Sequence, residues 1–154
     1  MNADQRAAVV AEAKTWLRTP YNHKQAVKGA GADCAMFPLA VYRACGLIPE
    51  SFVTPDYSPQ WHLHQSEEIY LQTIAPLMRE IESPIPWMQG YLAQPLPQPA
   101  DFIIFKFGRT FSHGAIVVQW PIIIHSYIPH GVQLSDALAD GQLIGREMKF
   151  FELI

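Results

Sequence analysis

Charge of either sign is scarce in this 154-residue chain: 16% of residues are Asp, Glu, Lys or Arg, and they leave a net charge of −3. No basic face stands out, so a nucleic-acid partner, which needs clustered cations against its phosphates, is not expected. Cysteine is scarce too, with only Cys34 and Cys45. Two thiols make no disulfide framework. If both lie on one helix they are about 16 Å apart, beyond the roughly 4.4–6.8 Å that a disulfide spans between Cα atoms. Free thiols suit a reducing compartment. Missing as well is any run of the roughly 18 apolar residues that a membrane-spanning helix needs. Arg6, Glu12 and Lys14 interrupt the first turns, where an export signal would carry an uncharged core. Cytoplasmic synthesis without Sec export is therefore the expectation. No internal repeat or low-complexity tract occurs. What is plentiful is apolar content, 49% of residues, and proline, with 13. At this length that supports one core and a single domain over residues 1–154.

Met1 to Leu17 predicts an amphipathic helix with Ala7, Val10, Ala11 and Leu17 on one face. After Gly46 come Pro49, Pro55 and Pro59, then a polar helical stretch from about Gln60 to Ala75, stopped by Pro76. Ser83 to Pro99 carries five prolines and cannot be regular throughout, yet Trp87, Met88, Tyr91 and Leu92 make it too apolar for a solvated linker. It reads as an ordered loop packed across the domain, either a groove wall or a structural wrap. Phe102 to Phe107 opens the strands, Gly108-Arg109-Thr110 connects them onward, and Met148 to Leu153 suits a closing strand. Helices first and an antiparallel sheet afterwards give an α+β domain.

Two segments carry chemistry. Gly29-Ala30-Gly31-Ala32-Asp33-Cys34 is a glycine-bearing loop that runs into an apolar, helix-compatible stretch. A thiol at a helix start meets unpaired N–H groups and partial positive charge, which bias it toward thiolate, and Asp33 is a fit N-cap. The alternative for Cys34 is a buried structural thiol. The second segment, from Phe111 to Ser126, holds two β-branched runs around a turn at Gln119-Trp120-Pro121 and predicts a hairpin. With the turn centred near residue 119 or 120, His113 falls opposite, or close to opposite, His125. A slip of one residue would throw the two onto different faces. Cys34, His113 and His125 thus form a candidate nucleophile, base and orienter.

The order Thr19-Pro20-Tyr21, Asp33-Cys34, Pro99-Ala100-Asp101 before a strand, His113 and His125 resembles the NlpC/P60 family of cysteine peptidases. Thr19-Pro20-Tyr21-Asn22-His23, Val27-Lys28-Gly29 and Tyr57-Ser58-Pro59-Gln60-Trp61-His62-Leu63-His64 look like the subgroup found in phage tail modules. The resemblance implies a papain-like fold, with N-terminal helices packed on a central antiparallel sheet, and one catalytic domain. It implies Cys34 as nucleophile, His113 as base, His125 as its orienter, Tyr21 as a donor near the oxyanion, and Asp33 at the substrate side of the groove. The reaction implied is hydrolysis of peptidoglycan stem peptides or muropeptides between D-glutamate and a diamino acid, with no cofactor. Phage tail or secretion-system proteins are the partners implied for delivery to the periplasm or cell wall, with lysis as another route.

The chain departs from the family at Ala35, Met36 and Pro38. Pro38 removes the N–H that would serve the Cys34 carbonyl, so the first turn is distorted or the regular helix starts later. The same Cys and His set also fits amidase, acyltransferase or thioesterase chemistry, and the departures leave room for a silent tail or effector module. His62-Leu63-His64 with Glu67 and Glu68 is the one cluster with metal-ligand residue types, and no second cluster accompanies it, so no metal is expected. His23 and His130 read as surface residues, Cys45 as a packed thiol, and Lys24 and Lys28 as solvated or facing a substrate carboxylate.

Overall fold

Asn2 and Gln5 cap each other, each side chain accepting from the other's backbone N–H at 2.9 Å, and this box opens helix α1 (Ala3–Thr15). A computed structural model describes residues 1–59, 67–82 and 96–154 of the chain. The buried stripe of α1 is Val9, Ala13 and, just beyond it, Trp16. The stripe expected from the sequence is turned outward: Ala7, Ala11 and Leu17 are exposed and Val10 half-buried. Trp16 decides the rotation. Its ring meets Phe37 edge-on at 5.8 Å, and its Nε1 donates to Glu12. Arg6, on the same stripe, pairs with the buried Asp101 at 2.6 Å and donates to the Pro99 carbonyl.

A two-stranded ribbon, β1 (Ala26–Val27) and β2 (Gly31–Ala32), leads into α2 (Met36–Ala44). Cys45 caps that helix and Gly46 follows at φ +70°, the left-handed turn that glycine adopts without strain. Helix α3 (Ile69–Ile74) is shorter than the predicted stretch; residues 60–66 of that stretch lie outside the described residues. So do 83–95, and with them Trp87, Met88, Tyr91 and Leu92.

The remaining strands are β3 (Met78–Ile81), β4 (Phe102–Phe107), β5 (Thr110–Gln119), β6 (Ile122–Tyr127), β7 (Gly131–Asp136) and β8 (Met148–Leu153). They form one sheet in the order β3-β8-β4-β5-β6-β7, antiparallel throughout. The last strand therefore does not close an edge but lies between β3 and β4. Ile104, Ile116 and Ile124 pack with the helices, while Ile103, Phe105, Val117 and Ile123 join a second core with Leu143. Burial on both faces explains why these strands are continuous apolar runs without alternation.

The Thr19-Pro20-Tyr21 segment is stitched to β7. Arg18 N–H donates to the Val132 carbonyl and Val132 N–H to that of Thr19, each at 2.9 Å, while Thr19 Oγ1 accepts from Gly29 N–H. Gly131 makes the approach possible: it sits at φ +74°, and a Cβ there would run into the Thr19 carbonyl. Gly131→Ala is expected to cost more than about 1 kcal/mol, read as a lower urea midpoint at unchanged slope.

Candidate active site

Helix α2 begins two residues after Cys34, the later start being one of the two outcomes that Pro38 left open. Asp33 Oδ1 accepts from the N–H groups of Ala35 at 3.0 Å and Met36 at 2.7 Å. Oδ2 accepts from Lys24 N–H and from the Tyr57 hydroxyl, both at 2.7 Å. These four donors, with His23 Nδ1 3.7 Å from Oδ2, surround a carboxylate that is 1% exposed, and through them Asp33 fixes the loop that carries the cysteine. It also places a negative charge at the helix end that was expected to favour a thiolate. The thiol behaves accordingly: burial pushes Cys34 up to about 12, with Asp33 adding to the rise. Both effects oppose the thiolate bias expected from the helix end.

Pro38 is the third residue of α2, where a helical N–H has no intrahelical partner in any case. The Cys34 carbonyl, which that N–H would have met in a longer helix, accepts instead from the Tyr70 hydroxyl of α3 at 3.1 Å. Burial raises the Tyr70 pKa, so the phenol stays a donor. Tyr70 was missed in the sequence. A proline four residues after Cys34 signals that the Cys34 carbonyl needs another partner, but not which one.

The thiol itself enters a gap in the sheet. The β5–β6 ladder runs from Gln119–Ile122 to Ile116–Ile124 and stops there, although both strands continue. Val117 bonds toward the β4 side, so the Ser112 carbonyl and the Gly114 N–H face the gap. The Cys34 thiol donates to the Ser112 carbonyl at 3.6 Å, and the Gly114 N–H favours its ionised form. From the β6 side, the Ser126 hydroxyl donates to the Ala32 carbonyl at 2.7 Å. Gly114 admits the loop: a Cβ there would lie 3.0 Å from the Cys34 carbonyl oxygen and 2.8 Å from Phe102, and would run into the Tyr70 hydroxyl.

The two histidines bridge the same gap. A bulge between Val117 and Gln119 alters the register, so the extended ladder sets His125 against Ala115 rather than His113. An offset of two residues keeps both rings on one face, and the diagonal pair meets with His113 Nε2 2.6 Å from His125 Nδ1 and the rings nearly perpendicular. His125 Nε2 lies 2.9 Å from Ser135 Oγ on β7. All three side chains are buried. Burial pushes His125 down to about 4, against a smaller opposing effect of Asp140, so this ring is neutral at pH 7. Phe107 and Tyr127 pack the His113 ring at 5.0 and 5.3 Å.

Tyr21, Cys34, Phe107, His113 and Tyr127 line one cleft of about 290 Å³. The Tyr21 phenol is raised by burial and by the charges of Cys34 and Asp33 and remains a donor. Other sequence candidates are engaged elsewhere. Lys24 pairs with Asp56, and Lys28 pairs with Glu12 at 2.7 Å. His23 stacks edge-on against Tyr57, with Nε2 3.1 Å from its carbonyl, while His130 is exposed. His62 and His64 lie outside the described residues, among which no three His, Cys, Asp or Glu side chains converge as metal ligands.

No protein-family model and no curated protein sequence matches the chain. Solved structures do match. The NlpC/p60 domain of the peptidoglycan hydrolase SagA superposes with a TM-score of 0.54 at 16% identity, over 94% of this chain and 96% of that one. NlpC2 and NlpC1 from Trichomonas vaginalis superpose over 99% of this chain with TM-scores of 0.65 and 0.63, at 13% and 15% identity. The chain spans 47% and 45% of those two, less than half of their length. The fold is thus the α+β fold of NlpC/P60 domains, as the motifs implied.

Two outcomes follow from this geometry. Gly114→Ala is expected to cost about 1–3 kcal/mol through overpacking and Tyr70→Phe about 1 kcal/mol through the lost hydrogen bond, both measured by urea denaturation. His125 gives a pH signature. Its folded pKa of about 4 lies below the ordinary 6.5, so the unfolded chain binds the proton first and stability falls as pH drops through that window. The loss is roughly 3 kcal/mol, and His125→Gln flattens that part of the profile in a pH series of denaturation curves.

Proposed function

We propose that the chain is an NlpC/P60-family cysteine peptidase that hydrolyses peptidoglycan stem peptides between D-glutamate and the diamino acid. The observation that carries this reading is the hydrogen-bonded His113–His125 pair set in the same cleft as the Cys34 thiol. The likeness to a domain of a peptidoglycan hydrolase supports the substrate class.

A thiol raised to about 12 attacks only as its proton leaves. His113 takes that proton while sulfur bonds to the carbonyl carbon, and the carbonyl oxygen becomes an oxyanion that the Tyr21 phenol faces as a donor. Collapse of this intermediate breaks the C–N bond, and His113 returns the proton to the departing amine. The thioester left on Cys34 is then attacked by water, with His113 as base again, and the acid product leaves with the thiol restored. His125, neutral throughout, orients the base. Asp33 acts on substrate through the loop it fixes. Residues 19–23 and 57–64 support the phage tail subgroup as part of the same proposal. Because the wall lies outside the cytoplasm, the proposal includes delivery by a tail-like assembly, a secretion system or lysis.

One observation favours a second reading. Among the described residues that line the cleft, none is Asp, Glu, Lys or Arg, whereas a stem peptide brings carboxylates that seek cations. A neutral acyl donor, cleaved or transferred by the same residues, meets no such mismatch.

Defined muropeptides incubated with the parent and with Cys34→Ala, and read by mass spectrometry, test the first reading. The parent is expected to cut at D-glutamate and Cys34→Ala to be silent, with His113→Ala at least about a hundredfold slower. If nothing is cut while iodoacetamide labels Cys34 faster than Cys45 at pH 7, the neutral acyl donor takes precedence. A Cys34 no more reactive than Cys45 points to a silent module.

A further inference from the structure

We propose that Ser135 is a positioning residue of this site, supplying the acceptor for His125 Nε2–H and so selecting the tautomer in which His125 Nδ1 accepts from His113. The proposal rests on the catalytic reading of Cys34 and His113 above and assigns a role to a side chain that the sequence motifs do not reach. A neutral His125 carries one N–H between two partners, His113 Nε2 at 2.6 Å and Ser135 Oγ at 2.9 Å. With the proton on Nδ1, His125 donates to His113, whose Nε2 must then hold its lone pair and whose own proton sits on Nδ1. A ring in that state cannot take a proton through Nδ1. Protonated instead at Nε2, it would set that N–H against the His125 Nδ1–H across 2.6 Å.

With the proton on Nε2 the order reverses. His113 Nε2–H donates to His125 Nδ1, and His125 Nε2–H donates to Ser135 Oγ. His113 then receives the thiol proton at Nδ1 and keeps its bond to His125 as an imidazolium. This order requires an acceptor for a buried N–H, the group that folded proteins leave unpaired most rarely. Ser135, on β7 opposite Ile123, reaches His125 diagonally and is 8% exposed. Gln133 Nε2 points at the same hydroxyl oxygen from 3.5 Å as a further donor, which suits an oxygen used as acceptor. Asp140 is the charged group that acts on His125, and it too favours a protonated ring.

The test compares the parent, Ser135→Ala and Ser135→Thr. Histidine ¹⁵N–¹H correlation spectra are expected to show His125 as the Nε2–H tautomer in the parent and Ser135→Thr, and to shift toward Nδ1–H in Ser135→Ala. Iodoacetamide labelling of Cys34 at pH 7 is expected to fall about tenfold in Ser135→Ala, the scale of one hydrogen bond, and to recover in Ser135→Thr. An Nδ1–H tautomer in the parent overturns the proposal, as does a folded Ser135→Ala with unchanged tautomer and labelling rate. If parental Cys34 labels no faster than Cys45, the catalytic reading fails, and the parental tautomer still decides the assignment of Ser135. Should Ser135→Ala not fold, the parental spectrum and Ser135→Thr carry the decision.

Discussion

The early end of the β5–β6 ladder is the constraint on which the site depends. Had pairing continued past Ile116–Ile124, the Gly114 N–H and the Ser112 carbonyl would have been spent on β6, and no room would remain for a side chain between the strands. The unpaired edge instead offers one donor and one acceptor to the Cys34 thiol. The same divergence leaves the two histidines as the side-chain bridge between strands whose backbones no longer touch. Sheet edges exposed in this way are a liability unless covered. Here the cover is the loop from β2 to α2, anchored by Ser126 to Ala32, so one feature provides both the socket and what fills it.

Burial in that socket sets the energetics of the Cys34 thiol. Removing a thiolate from water costs more than the nearby N–H groups return, and the buried Asp33 adds repulsion. In return, Asp33 satisfies the Ala35, Met36 and Lys24 N–H groups together. The architecture thus favours loop precision, and under the proposed mechanism ionisation of the thiol falls to His113. A neutral His125 behind it is consistent with this division, because a second cation there would oppose protonation of the first.

Much of this was legible in the residues. The α+β order, strands β4, β5, β6 and β8, the hairpin turn, the Gly46 stop and the delayed start of α2 follow from local chemistry. What escaped was decided by tertiary contact. The buried stripe of α1 follows Trp16, whose partners Phe37 and Glu12 outweigh the small alanines that set the expected face. The hairpin ladder is centred on residue 120, within the turn read from the sequence, but the bulge that sets this register and so keeps the two histidines on one face is announced by no residue type. Strands β3 and β7 are polar enough to pass for loops. The buried carboxylate beside the helix end opposes the thiolate bias that the helix end alone suggests.

Pro38 shows how a departure from a family pattern is absorbed. Taken alone it deprives the Cys34 carbonyl of a partner. In three dimensions the missing N–H is replaced by the Tyr70 hydroxyl, a longer lever reaching from a different helix. The replacement ties Cys34 to α3, and Gly114 provides the space in which the hydroxyl, the Cys34 carbonyl and β5 meet. Pro38, Tyr70 and Gly114 therefore act as one unit: the proline creates the need, the tyrosine meets it, and the glycine makes the meeting possible. A change at any one of them has to be judged against the other two.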